Sequence, residues 1–72
     1  MAAESTTGTI KTVNTVTRQV TLDDGKVYTA QGSIDMAKLK VGDKVKVTFD
    51  AANPTFAALG IAGSATQITA AN

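Results

Sequence analysis

Asp23 and Asp24, adjacent and followed by Gly25, are the first residues in this chain whose type could do chemistry. Two neighbouring carboxylates offer a hydrolytic pair or the beginning of a calcium site. Calcium, however, takes about six or more oxygen ligands from a spaced loop. Asp-Asp-Gly is also the composition of a tight turn, where short polar side chains hold the backbone and glycine supplies an unusual φ. Asp43 after Gly42 reads the same way. The serines, Ser5, Ser33 and Ser64, fall in tail or loop stretches, and the chain has no histidine to activate them as nucleophiles. Soft-metal chemistry fares no better. Copper(I) carriers use several sulfur and imidazole ligands, and only Met1 and Met36 are present, with Met36 better used as packing. No catalytic residue, metal-ligand set or cofactor site emerges, and the reading is that of a non-enzyme.

Two other groups carry binding chemistry. Lys38, Lys40, Lys44 and Lys46 lie close together, with Lys44 and Lys46 on one face of an alternating strand. Lys11 joins them if the first strand lies alongside. Lys11, Lys44 and Lys46 are thus candidates for an anionic ligand. A nucleic-acid groove would add aromatics for base stacking. The only aromatics are Tyr28, Phe49 and Phe56, and the interior needs two of them, so nucleic acid is disfavoured. The competing reading is a solvated face whose lysines discourage edge-to-edge pairing. Phe56-Ala57-Ala58-Leu59-Gly60-Ile61-Ala62-Gly63 is apolar and glycine-punctuated, without a clean period. Contiguous exposed apolar surface marks a partner, which makes Phe56, Leu59 and Ile61 candidates for a protein interface or for self-association. Alternatively, the segment folds back over the core.

The elements that position these groups are short. The stretch Lys44-Val45-Lys46-Val47-Thr48-Phe49 alternates polar and apolar with a period of two, the mark of a half-buried strand. Leu39-Lys40-Val41-Gly42-Asp43 turns the chain into it. Upstream, Thr9-Ile10-Lys11-Thr12-Val13 is rich in β-branched residues. Ile10 and Val13 differ in parity, so burying both requires a bulge or a strand end between them. Asn14 to Arg18 is turn-capable, and Gln19-Val20-Thr21-Leu22 is a second strand with Val20 and Leu22 inward.

The hairpin Asp23-Asp24-Gly25-Lys26 then allows two registers. One pairs Leu22 with Val27. The other puts Gly25 in a left-handed bulge position and pairs Val20 with Tyr28. The second sends Tyr28 and Ala30 inward, where a core so poor in aromatics needs them. Gln31-Gly32-Ser33 ends the third strand, and Ser33 or Asp35 caps a single helical turn through Met36. Ile34 and Leu39 plug one end from that turn. Asn53-Pro54 is a breaker pair, and Ala65 to Thr69 is expected as the last strand, with Ile68 inward.

Seventy-two residues with a formal charge of +1 and no cysteine make one small domain without disulfides. A chain of this size buries only roughly 60% of its unfolded surface, so its stability is narrow. The balanced charge gives no global attraction to polyanions. No run approaches the roughly 18 apolar residues of a transmembrane helix. The tally is an all-β domain: a small five-stranded OB-like barrel over residues 8–69, with one helical turn between strands three and four. An SH3-like barrel is the alternative. Residues 1–7 and 70–72 are expected as tails, the first a disordered one.

The stretches Gly8-Thr9-Ile10-Lys11-Thr12-Val13, Val20-Thr21-Leu22-Asp23-Asp24-Gly25-Lys26, Leu39 to Val47 and Ala65-Thr66-Gln67-Ile68 resemble a family of short exported bacterial proteins known as domain of unknown function 1344. The resemblance covers roughly residues 8 to 69. It implies an OB-like barrel, an export signal in the precursor and a periplasmic location, and it implies no activity. The small, polar opening Met1-Ala2-Ala3-Glu4-Ser5 reads as the mature end left by cleavage at an alanine-rich site, or else as a native start. Ala51 to Ser64 is longer and more apolar than the tight turn expected there. The functional expectation is a non-catalytic binding or accessory module of unknown ligand, with self-association through residues 56–63 as the alternative.

Overall fold

The computed structural model describes residues 3–71, so expectations placed on Met1, Ala2 and Asn72 lie outside the described residues. Five strands make one closed sheet: β1 Glu4–Asn14, β2 Gln19–Leu22, β3 Val27–Ala30, β4 Lys44–Ala51 and β5 Ile61–Ala70. Their order around the barrel is β1-β2-β3-β5-β4, with β4 returning to β1. All pairs are antiparallel except β3 with β5, which run parallel. A 3₁₀ turn, Met36–Lys38, connects β3 to β4, and a short helix α1, Pro54–Ala58, connects β4 to β5. This order is that of an OB-like barrel, the first of the two barrels expected.

β1 is long enough to serve two neighbours. Residues 4–9 pair with β4, and Ile10 to Asn14 pair with β2. The register shifts between Ile10 and Thr12, which is the bulge that the parity of Ile10 and Val13 demands. A bulge bends its strand and sharpens the local twist, and here the bend carries β1 from one side of the barrel to the other. The expected N-terminal tail is therefore corrected: Glu4 to Thr7 form ladder pairs with Phe49 to Lys46. Their serine and threonine side chains supply no core, so hydrophobic patterning does not reveal them. At the other end Ala70 pairs with Val45, and the Ala71 N–H donates to the Lys44 carbonyl at 2.9 Å.

The hairpin adopts the register that buries Tyr28. Val20 pairs with Tyr28 and Thr21 with Val27. The Gly25 N–H donates to the Leu22 carbonyl at 2.9 Å, and Gly25 takes φ 88°, the left-handed position of a three-residue turn. The Asp24 carboxylate accepts from the Lys26 N–H at 2.9 Å, so it completes the turn. The Gly42-Asp43 turn is equally tied down. The Gly42 N–H donates to the Ile10 carbonyl, and the Asp43 carbonyl accepts from the Ile10 N–H, both at 2.9 Å.

The core is Ile10, Val20, Leu22, Tyr28, Ala30, Met36, Val45, Val47 and Ala65, with Val13, Ile34, Leu39, Phe49 and Ile68 packed around it. Met36 closes one end of the barrel from the 3₁₀ turn, which Asp35 caps by accepting from the Ala37 N–H at 3.1 Å. Tyr28 and Phe49 meet edge to face, with ring centroids 4.9 Å apart.

Burial pushes the Tyr28 hydroxyl pKa above its ordinary 10.0, and the charges of Asp24 and Glu4 push it further the same way. The unfolded chain therefore loses this proton before the folded one does. Stability from this group is intact below about pH 10 and falls as pH rises through the unfolded value, by at most about 1.4 kcal/mol per pH unit. Tyr28→Phe is expected to flatten that fall relative to the parent, read by urea denaturation at a series of alkaline pH values. Identical slopes would sink this account.

One anchor escapes sequence patterning. Arg18, the sole arginine, sits at φ 57° in the β1–β2 connection. Its guanidinium donates to the carbonyls of Gln31 at 2.7 Å and Ile34 at 2.8 Å, and Nε to that of Ala30 at 3.4 Å. These bonds tie the loop after β3 to the loop before β2. Hydrogen bonds from a charged donor contribute about 1.5–3 kcal/mol, so Arg18→Ala is expected to lose about that much in a denaturant melt. Arg18→Lys should recover little of it, because an ammonium cannot reproduce the planar fork.

Candidate functional site

After the last β4 pair, Asn53 adopts an extended conformation and its side-chain oxygen accepts from the Phe56 N–H at 3.0 Å. Pro54 occupies the first helical turn. Asparagine before proline is thus a helix start here rather than a plain breaker, an N-cap followed by the one position where proline's missing N–H costs nothing. The five-residue α1 is far too short to stand alone. It is held by this cap and by packing on β5, and the Ala52 N–H to Ala62 carbonyl bond of 3.1 Å closes the base of the connection.

This connection overhangs the outer side of three strands. The result is a concave cavity of about 340 Å³, lined by Thr29 of β3, by Ile61, Gly63 and Ser64 of β5, and by Asp50 to Asn53 with Phe56 on the other wall. Its character is mainly apolar, with a carboxylate, an amide and two hydroxyls among the lining groups. Phe56 is half exposed at 50%.

Of the three residues expected at a partner surface, Phe56 and Ile61 line this cavity, and Leu59, 72% exposed, does not. Ile61 is not part of a loop: it opens β5 and pairs with Val27. The expected last strand, Ala65 to Thr69, is thereby corrected to Ile61–Ala70. Gly60 and Gly63 hide the strand's beginning from periodicity, because a glycine contributes no side chain to either face.

The lysines lie elsewhere. Lys44 and Lys46 are exposed on β4, opposite Thr9 and Thr7 of β1, and Lys11 lies exposed at the bulge just beyond that ladder. The three share one side of the barrel without forming a pocket together. Of the three, Lys44 lines a second hollow of about 450 Å³ together with Lys38, and Asp43 supplies an opposing charge there. The edge-protection reading of these lysines is also corrected: β4 is paired on both sides, to β1 and to β5, so it has no open edge.

Among the described residues, no three or more carboxylates cluster as a cation site. No described helix is long and apolar enough to cross a membrane. Sequence reasoning missed Thr29, Asp50 and Gly63 as parts of the cavity. The only signal it had was Gly63 itself, a glycine within an otherwise apolar run.

A closed five-stranded barrel with its main apolar hollow beneath the β4–β5 connection defines the molecule as a small OB-like β-barrel domain. The family model described as Protein of unknown function (DUF1344) matches residues 3–55, and the chain belongs to that family. The match ends within α1, so β5 and the lining residues Phe56, Ile61, Gly63 and Ser64 lie beyond the matched residues. No curated protein and no solved structure matches the chain.

Proposed function

We propose that this protein is a non-catalytic binding module of the periplasm that takes a small, largely apolar ligand in the cavity beneath α1. The observation that carries this reading is the cavity itself. Its volume of about 340 Å³ falls within the roughly 300–1,000 Å³ of small-molecule sites, and its few polar groups set in apolar walls are typical of them. The absence of histidine and cysteine from the sequence supports the non-catalytic part, since no imidazole base or thiol nucleophile is at hand. The periplasmic part rests on the family resemblance alone. It is tested by fractionating the native host and determining the mature N-terminus by mass spectrometry; a cytoplasmic protein retaining Met1 overturns it.

Binding is tested by titrating a small aromatic alcohol into isotope-labelled protein. Amide shifts confined to Thr29, Phe56, Ile61 and Ser64 are expected, and their absence at millimolar ligand would remove the reading. A second reading draws on the exposure of Phe56 and Leu59 side by side on α1 and its cap. Two such side chains are the seed of a self-association surface. Light scattering at high protein concentration separates the two: a monomer that binds the alcohol favours the cavity, and a dimer lost in Leu59→Ser favours the interface.

A further inference from the structure

Among the described residues Asp50 is the only ionisable one lining the cavity; Arg18 and all six lysines lie outside its walls. We propose that the cavity selects an aralkylammonium, a small molecule with an apolar ring and one primary ammonium, over neutral and anionic ligands of the same shape. The proposal rests on the cavity being a ligand site at all, and adds the charge of the ligand to that reading.

Several features favour a cation there. Asp50 belongs to β4, half-buried and paired with Ser64 of β5, so its carboxylate stands on rigid ladder rather than on a loop tip. Apolar walls weaken solvent screening and strengthen its field. A primary ammonium has three N–H donors and no acceptor. Asp50, Thr29 and Ser64 are among the lining residues, and their carboxylate and hydroxyls are the acceptors such a donor needs. The Asn53 side-chain oxygen is already occupied by the Phe56 N–H, which leaves its amide as the main fixed donor. Phe56, the one aromatic residue of the lining, adds a ring face that attracts cations. An anion finds the Asn53 amide and the two hydroxyls as neutral donors, but it meets the repulsion of the carboxylate and no cationic side chain. Size agrees: a cavity of about 150 Å³ holds benzene, so about 340 Å³ has room for a ring and a short ammonium-bearing chain.

The test compares 2-phenylethylammonium, 2-phenylethanol and 3-phenylpropionate by amide-shift titration of the full chain near neutral pH. The ammonium is expected to bind at least about tenfold tighter than the alcohol, with the propionate weakest and the shifts centred on Thr29, Ile61, Gly63 and Ser64. Asp50→Asn should bring the ammonium down to the affinity of the alcohol, and Phe56→Ser should weaken both ligands. Equal binding of ammonium and alcohol at the cavity overturns the charge selectivity and leaves the cavity reading standing. Failure of all three to bind overturns both. The comparison among ligands needs only the parent protein, so a poorly folded Asp50→Asn does not rescue the proposal.

Discussion

Tyr28→Ala is expected to unfold this protein at room temperature. Tyr28 is 1% exposed and is the largest fully buried side chain of the core. Truncating a buried aromatic residue costs about 3–5 kcal/mol, and losing the edge-to-face pair with Phe49 adds about 0.5–1.5. At the usual stability per residue, a chain of 72 residues holds roughly 4–11 kcal/mol in total. The loss therefore consumes between about a third and all of what is available, and about two-thirds at the middle of both ranges. Collapsed amide dispersion in a proton–nitrogen spectrum at 25 °C, or a urea midpoint near zero, is the expected result. A melting temperature within a few degrees of the parent would refute it. Tyr28→Phe is the internal control, since it keeps the ring pair and the volume and should remain folded.

Gly63→Ala is expected to be nearly as damaging, although it adds one methyl group. Gly63 of β5 pairs with Ala51 of β4 and with Tyr28 of β3. A Cβ there would overlap the Asp50 carbonyl oxygen and lie 2.6 Å from Phe49 Cδ2. Neither obstacle yields easily. The oxygen belongs to the neighbouring strand's backbone, and the Phe49 ring is pinned against Tyr28. Accommodation requires β4 and β5 to part, so the cost sits at the upper end of overpacking, about 3 kcal/mol or more. Because Gly63 also lines the cavity, ligand binding should fall with it. Gly32→Ala is the matched control: nothing lies within 4 Å of its Cβ position, so a change below about 1 kcal/mol is expected. Comparable midpoints for the two variants would remove the steric account.

Both effects turn on strand pairings, and the chain announces these unevenly. Alternation places Val45, Val47, Val20 and Leu22 inward, and all four are buried. The Asp-Asp-Gly turn and the shortage of aromatics together select the register that buries Tyr28. The parity clash between Ile10 and Val13 announces the bulge. Such signals are local, because a turn type or a two-residue period is complete within a few positions. The beginning of β1 and the beginning of β5 give no such signal. Glu4 to Thr7 are small or polar, and Ile61 to Ser64 are interrupted by glycine. The first becomes a strand because β4 offers it a ladder and the second because β3 and β4 do, which is a property of the closed barrel.

The residues whose chemistry drew attention first ended with separate roles. Asp23 and Asp24 belong to the hairpin turn, Asp24 bonding the Lys26 amide, and Asp43 belongs to the turn that docks on Ile10. By itself the sequence determined that this is a small all-β barrel, because period-two hydrophobicity and turn chemistry are carried by neighbours along the chain. It also determined that this chain of 72 residues carries neither histidine nor cysteine. Only the tertiary structure decided where a ligand fits. Asp50, Phe56 and Ser64 come from consecutive elements, β4, α1 and β5, and Thr29 from β3, well upstream of them. Their meeting depends on β5 inserting parallel to β3 and antiparallel to β4, a long-range arrangement that no local spacing encodes.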